Sequence, residues 1–155
     1  MDDLLIHGAD AITEDINLQF FHWRKAFPVA VGAGNGQGFH ELDCSDLDLV
    51  VLENVGNLVC PAEFDTGAVK NITILSVPEG HDKPLKYPLM YEVCDLLIVS
   101  KTDVMPYFDF DAEKVVAYAK MRNPEIAVLF VSAKTGEGVD AVAEWLLAEI
   151  NKWNR

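Results

Sequence analysis

Four short runs of Val, Ile and Leu, at Leu49 to Leu52, Ile72 to Val77, Leu96 to Val99 and Val128 to Val131, alternate with stretches of helical periodicity, and this alternation constrains the chain more than any other feature. Runs that are apolar at every position suit strands covered on both faces. In the last segment Val139, Val142, Ala143, Leu146, Leu147 and Ile150 recur at the spacing of one helix face and predict a closing helix. A second helix is predicted over Ala112 to Arg122, with Asp109 or Asp111 as its N-cap and Asn123-Pro124 as its stop. A third is predicted near Asp15 to Phe27, where Ile16, Phe20, Trp23 and Phe27 fall on one side and Pro28 ends it. Strands alternating with helices imply an α/β fold, a parallel sheet with helices on both faces, whose ligands bind at the carboxyl ends of the strands. A chain of 155 residues, half of them apolar, fills one core, so residues 1–155 are read as a single domain.

Function should therefore sit just after the apolar runs, and charge narrows what it is. A net charge of −13 with no cluster of Lys and Arg argues against a nucleic-acid partner. No apolar run approaches the roughly 18 residues of a membrane span, so no membrane partner is expected. Met1-Asp2-Asp3 lacks the basic region of a signal peptide, and the expected location is the cytoplasm. The three cysteines, Cys44, Cys60 and Cys94, are irregularly spaced, which suits reduced thiols or metal ligands better than a disulfide framework.

Two of the loops suit guanine. Behind Leu96 to Val99 comes Ser100-Lys101-Thr102-Asp103, and behind Val128 to Val131 comes Ser132-Ala133-Lys134. Guanine presents two adjacent donors, its ring N1–H and exocyclic amine, which one carboxylate such as Asp103 accepts together; adenine cannot match that pattern. The aliphatic stem of Lys101 is placed to lie along the purine, and the backbone N–H of Ala133 to donate to the guanine carbonyl. Either tetrapeptide alone reads more simply as an ordinary polar loop, but their order and shared position behind apolar strands favour the base. A third segment, Leu52 to Leu58, carries Glu53 and then Gly56. In nucleotide hydrolases an acid at such a strand end holds Mg²⁺ through water and the glycine N–H approaches the terminal phosphate.

The run Glu53-Asn54-Val55-Gly56-Asn57-Leu58-Val59-Cys60-Pro61-Ala62-Glu63-Phe64-Asp65 resembles the signature of the HypB-type nickel-incorporation GTPases of hydrogenase maturation. The likeness continues through Glu79 to Pro88, Ser100 to Asp103, and Ser132 to Gly138, covering roughly two thirds of the chain. The resemblance implies a P-loop GTPase-like fold, GTP or GDP with Mg²⁺ as ligands, and a homodimer that shares a nickel or zinc site. It also implies delivery of nickel to a hydrogenase large-subunit precursor together with a second nickel accessory protein. Lys101, Asp103, Ser132, Ala133 and Lys134 would bind nucleotide, Glu53 and Gly56 would serve catalysis, and His40 and Cys60 would ligate metal. Imidazole with thiolate suits Ni²⁺ or Zn²⁺ by softness.

The chain departs from that pattern in several places. It contains no Gly-x-x-x-x-Gly-Lys-Ser/Thr, and no lysine directly follows a glycine. The family's first strand, phosphate loop and first helix are thus expected to be missing, leaving the sheet with an unpaired edge and bare apolar surface. The glycine-rich Gly32 to Gly38 has no basic residue beside it and reads as a flexible loop, matching the switch loop before the metal ligands. The link between Asp43 and the strand at Leu49 is short where the family carries a helix, and Ser100 replaces the usual asparagine. Phe39 stands where a first cysteine ligand is expected, with Cys44 nearby as a substitute. Cys94 reads as core, while His7, His22 and His81 read as solvated or satisfied locally, His81 standing where the family usually has an acid. Two readings stay open: a GTP-binding maturation factor with hydrolysis in doubt, or a metal-binding or partner-docking module built on the same fold.

Overall fold

The computed structural model describes residues 16–21, 49–54 and 68–153. Its centre is three parallel strands, β3 (Lys70–Ser76), β4 (Leu96–Ser100) and β5 (Ala127–Phe130). They run in register with Ile72 opposite Leu96, Ser76 opposite Ser100, and Leu96 opposite Ala127. Leu96, Leu97, Ile98 and Val99 are all buried, as expected of a central strand covered on both sides.

The two faces bury different helices. Leu75, Leu97 and Val99 share a cluster with Met90, Tyr91, Val115 and Ala119, which come from α2 (Pro88–Val93) and α3 (Ala112–Arg122). Ile72, Leu96, Ile98 and Val131 pack on the other face with Val142, Trp145 and Leu146 of α4 (Val139–Trp153). A parallel core with helices on both faces is thus present. The remaining helix, α1 (Lys83–Lys86), precedes α2, and Arg122 Nε donates to the carbonyl of Pro84 across 3.3 Å to join it to α3.

The predicted helix over 112–122 forms with the expected ends. Asp111 Oδ1 accepts from the Lys114 N–H at 3.0 Å, satisfying one orphan donor of the first turn. At the other end the Asn123 side chain donates to the Cys94 carbonyl at 2.8 Å, anchoring the helix to the loop before β4. α4 forms as well, turned slightly from the expected face. Trp145 packs inward with Val142 and Leu146, while Val139 and Leu147 are 44 % and 55 % exposed. The large indole buries more area than the residues it displaces, so it sets the orientation.

The N-terminal expectation is corrected. Ile16–Phe21 is a strand, β1, where a helix over Asp15 to Phe27 was predicted. Ile16, Leu18 and Phe20 alternate with Asn17 and Gln19, a period of two, and the helical reading leaned on Trp23, Phe27 and Pro28, which lie outside the described residues. β1 lies antiparallel to β3 and also to β2 (Val50–Asn54), giving the order β2-β1-β3-β4-β5. The edge of β3 expected to stand unpaired is therefore occupied. Because β1 opposes both neighbours, β2 points the same way as β3 to β5.

Candidate nucleotide-binding loops

β4 and β5 end side by side, and their parallel direction brings the following loops to one edge of the sheet. Directly after Ser100, Lys101 takes a left-handed conformation with φ 60° and ψ 41°, turning the chain into a 3-10 helix over Thr102–Tyr107. A non-glycine residue in that region carries strain, which the hydrogen bonds around it offset. The Val104 N–H donates to the Lys101 carbonyl at 3.2 Å, and the Thr102 N–H reaches across to the Val131 carbonyl at 3.2 Å. The second bond ties one loop to the other through the backbone.

Side chains add a second tie. The hydroxyl of Ser132, fully buried, donates to Asp103 Oδ1 at 2.7 Å. The same oxygen accepts from the Thr135 N–H at 3.3 Å, which leaves its proton for the carboxylate. A hydrogen bond to a charged acceptor is stronger than one between neutral groups, so Asp103 is held in one orientation. Lys134 Nζ lies 3.9 Å from Asp103 Oδ2, but its side chain is 81 % exposed and adds little fixed energy. With one lone pair engaged by Ser132, the carboxylate retains acceptor sites for a ligand with two adjacent donors.

The loop that carries Ser132 is itself rigidly closed. The Ser132 N–H donates to the Glu137 carbonyl and the Gly136 N–H to the Ser132 carbonyl, each at 2.9 Å. Gly138 has φ 75°, and a Cβ there would sit 2.0 Å from the Phe130 carbonyl oxygen. Only glycine permits that approach. Ala133 and Lys101 are exposed beside this arrangement, so the structure brings Lys101, Asp103, Ser132, Ala133 and Lys134 to one edge.

Other predicted residues fall elsewhere. Glu53 does not follow a strand but lies within β2, opposite Leu18, which is opposite Ile72. Ile72 precedes Ser76 by four residues, so Glu53 sits about 13 Å below the edge where Ser76 and Ser100 end their strands, at ~3.3 Å per residue. The strand continues past Leu52 because β1 supplies backbone partners as far as Asn54. Gly56, His40 and Cys60, with Phe39, Cys44 and the Gly32 to Gly38 run, lie outside the described residues. Among the described residues no group of three His, Cys, Asp or Glu side chains is arranged to hold a metal, and no helix is long and apolar enough to cross a membrane. Cys94 is fully buried and its thiol is pushed up by desolvation, then by the adjacent Asp95, as befits a core residue.

Two features at this edge were not singled out as functional from the sequence. Glu79 Oε2 accepts from both the N–H and the hydroxyl of Ser76 at 2.6 Å, closing the turn after β3, and Lys83 Nζ lies 3.5 Å from Glu79 Oε1. The Ser-x-x-Glu spacing was the available signal. His81, expected to be solvated or satisfied locally, instead accepts through Nδ1 from the N–H of Asp111, thirty residues away, at 3.2 Å.

Comparison with known proteins adds independent findings. A family model described as CobW/HypB/UreG, nucleotide-binding domain, matches residues 27–130. The hydrogenase maturation factor HypB of Azotobacter chroococcum is 52% identical over 111 residues, 72% of this chain and 35% of that protein. That of Escherichia coli K12 is 43% identical over 128 residues, 76% of this chain and 44% of that protein. Of solved structures, HypB from Helicobacter pylori in complex with nickel is 39% identical with a TM-score of 0.61, covering 63% of this chain and 46% of that one. The Archaeoglobus fulgidus maturation factor is 34% identical with a TM-score of 0.58, covering 61% of this chain and 50% of that one. The chain thus spans between about a third and a half of the relatives it matches.

Proposed function

The chain belongs to the CobW/HypB/UreG nucleotide-binding family, and from that premise we propose that it is a guanine-binding accessory protein of nickel–iron hydrogenase maturation. The observation that carries this reading is the Ser132 hydroxyl bond to Asp103 Oδ1, which orients a carboxylate at the edge where α/β sheets bind ligands. Asp103 accepts the N1–H and amine of guanine, Lys101 lies along the base, and the Ala133 N–H meets the guanine carbonyl. Lys134 stands on the solvent side of the same carboxylate, 3.9 Å from Oδ2.

Nickel is the cargo in this reading, held by His40 and Cys60, one ion per homodimer, and passed to a hydrogenase large-subunit precursor with the help of a second nickel accessory protein in the cytoplasm. The Helicobacter pylori relative was solved in complex with nickel, which supports the choice of metal. Glu53, the fourth of the five residues of β2, is assigned no Mg²⁺-dependent step, and no hydrolytic step is derived for Glu53 and Gly56.

The 155 residues contain no lysine-bearing phosphate loop motif, so recognition by this chain is centred on the base. Guanosine, GDP and GTP should then bind alike, with dissociation constants of roughly 10–100 μM, equivalent to about 5.5–7 kcal/mol. Calorimetry with these three ligands and adenosine tests this. Replacing Asp103 by Asn should transfer preference to xanthosine, whose second carbonyl matches the new amide donor. Equal affinity for guanosine and adenosine, or no change in preference with Asp103→Asn, would overturn the assignment.

A further inference from the structure

His81 stands in the loop after β3, directly behind Gly80, which has φ 90°. Its Nδ1 accepts the N–H of Asp111, the N-cap of α3, at 3.2 Å. The ring also meets Phe110 edge-on, with centroids 6.0 Å apart, and stacks on Tyr118 of α3 at 6.4 Å. One imidazole therefore joins the loop after β3 to the start of α3 by a hydrogen bond and two ring contacts.

The residues between Asp103 and Asp111 form a string of tight turns. Beginning at the strained Lys101, the Val104 N–H donates to the Lys101 carbonyl, the Phe108 N–H to Met105, and the Phe110 N–H to Phe108. Val104, Met105 and Phe110 also pack against the core. The segment leading from the Asp103 carboxylate to α3 is thus fixed at one end by the Ser132 bond and at the other by His81.

A nitrogen accepts a hydrogen bond only while its lone pair is free, and imidazolium has none: both ring nitrogens then donate. A protonated His81 would face the Asp111 N–H with a second donor, at the positive end of the α3 dipole. The titratable and charged groups that neighbour it are Glu79, Asp82 and Lys83 on its own segment and Asp109, Asp111, Lys114 and Tyr118 from α3 and its lead-in.

We propose that His81 is a proton-operated latch, whose neutral ring fastens the loop after β3 to the N-cap of α3 and whose protonated ring releases it. The latch rests on the His81–Asp111 geometry and not on guanine binding. Its sign follows from the acceptor: the bond is present while the ring is neutral and is lost when Nδ1 takes up a proton.

Two-dimensional NMR of the full chain tests it. From about pH 8 to about pH 5.5, the interval in which histidine changes charge, the His81 ring nitrogens and the Asp111 amide are followed together. At the upper end His81 should be the Nε2–H tautomer with Nδ1 unprotonated. The Asp111 amide should titrate with the ring, and its protection against exchange should fall about two- to tenfold, the range one ordinary hydrogen bond supplies. In His81→Asn, whose amide oxygen replaces Nδ1 as acceptor, protection should persist and the titration vanish; in His81→Phe, protection should be low throughout. An Nδ1–H tautomer at pH 8, or an Asp111 amide indifferent to protonation of the ring, overturns the latch from the wild-type chain alone.

Discussion

The bond between Ser132 and Asp103 is the strongest single tie between the two loops, and removing it should have a measurable price in stability. Ser132→Ala deletes a fully buried hydroxyl that donates to Asp103 Oδ1 at 2.7 Å and accepts from Thr135 N–H at 3.3 Å. A hydrogen bond to a charged group contributes about 1.5–3 kcal/mol, and a long neutral one about 0.5 kcal/mol. The Asp103 side chain is 17 % exposed, so water replaces part of what is lost, and the expected destabilisation is about 2 kcal/mol. With a urea m-value of ~2 kcal/mol per M, this lowers the unfolding midpoint by about 1 M. The decisive form is a double-mutant cycle with Asp103→Ala, in which the coupling energy should be about 1.5–2 kcal/mol. A coupling below about 0.5 kcal/mol would refute the reasoning, because the two side chains would then not be holding each other.

Three further outcomes are expected. Gly138→Ala should destabilise the fold by at least about 2 kcal/mol and weaken guanosine binding, since its Cβ would meet the Phe130 carbonyl oxygen at 2.0 Å with φ 75°; a melt unchanged from wild type would contradict this. Asp111 has its carboxyl held below the usual range, first by the Lys114 N–H and then by the Lys114 side chain, so its contribution is present above about pH 4, near the unfolded carboxylate value, and is lost as pH falls through the lower folded one. Urea midpoints at pH 5 and below should therefore fall less in Asp111→Asn, which keeps the cap without the charge, than in the wild type. Thr73 is fully buried with a hydroxyl that has no partner among the described residues, so the isosteric Thr73→Val should raise stability by about 1 kcal/mol in the same assay.

How much of this was legible in the sequence depends on how local the signal is. The parallel strands were readable because burial on both faces forces Ile72, Ile74 and Leu75, or Leu96 to Val99, to be apolar regardless of their neighbours. The ends of α3 were readable because Asp111 accepts from the Lys114 N–H and the Asn123 N–H donates to the Ala119 carbonyl, each within a turn, although the Asn123 side-chain bond to Cys94 is not local. The guanine loops were legible as order and spacing, but not the αL turn at Lys101 or the way Thr135 directs the Ser132 proton, which depend on two strands ending side by side. His81 was read as local because a sequence gives no measure of its partner thirty residues on, where a cap on the far side of β4 supplies the donor.

The N-terminal strand exposes the deeper limit. Ile16 to Phe21 contains three apolar residues at alternate positions and also fits one side of a helix, so its own pattern fixes neither form. What decides is the space available: between β2 and β3 two sets of backbone donors and acceptors face each other, and leaving them unpaired inside a sheet costs more than the modest helical preference of six residues. The antiparallel direction matters too. Running antiparallel, β1 pairs with β2 and β3 at once and leaves β2 pointing the same way as β3. It also fixes the register of β2, and with it the depth of Glu53 opposite Leu18. The placement of an acid predicted from four neighbouring residues thus depends on a strand more than thirty positions away, and a register shift of β1 would move Glu53 along the sheet while leaving Asp103 and Ser132 where β4 and β5 hold them.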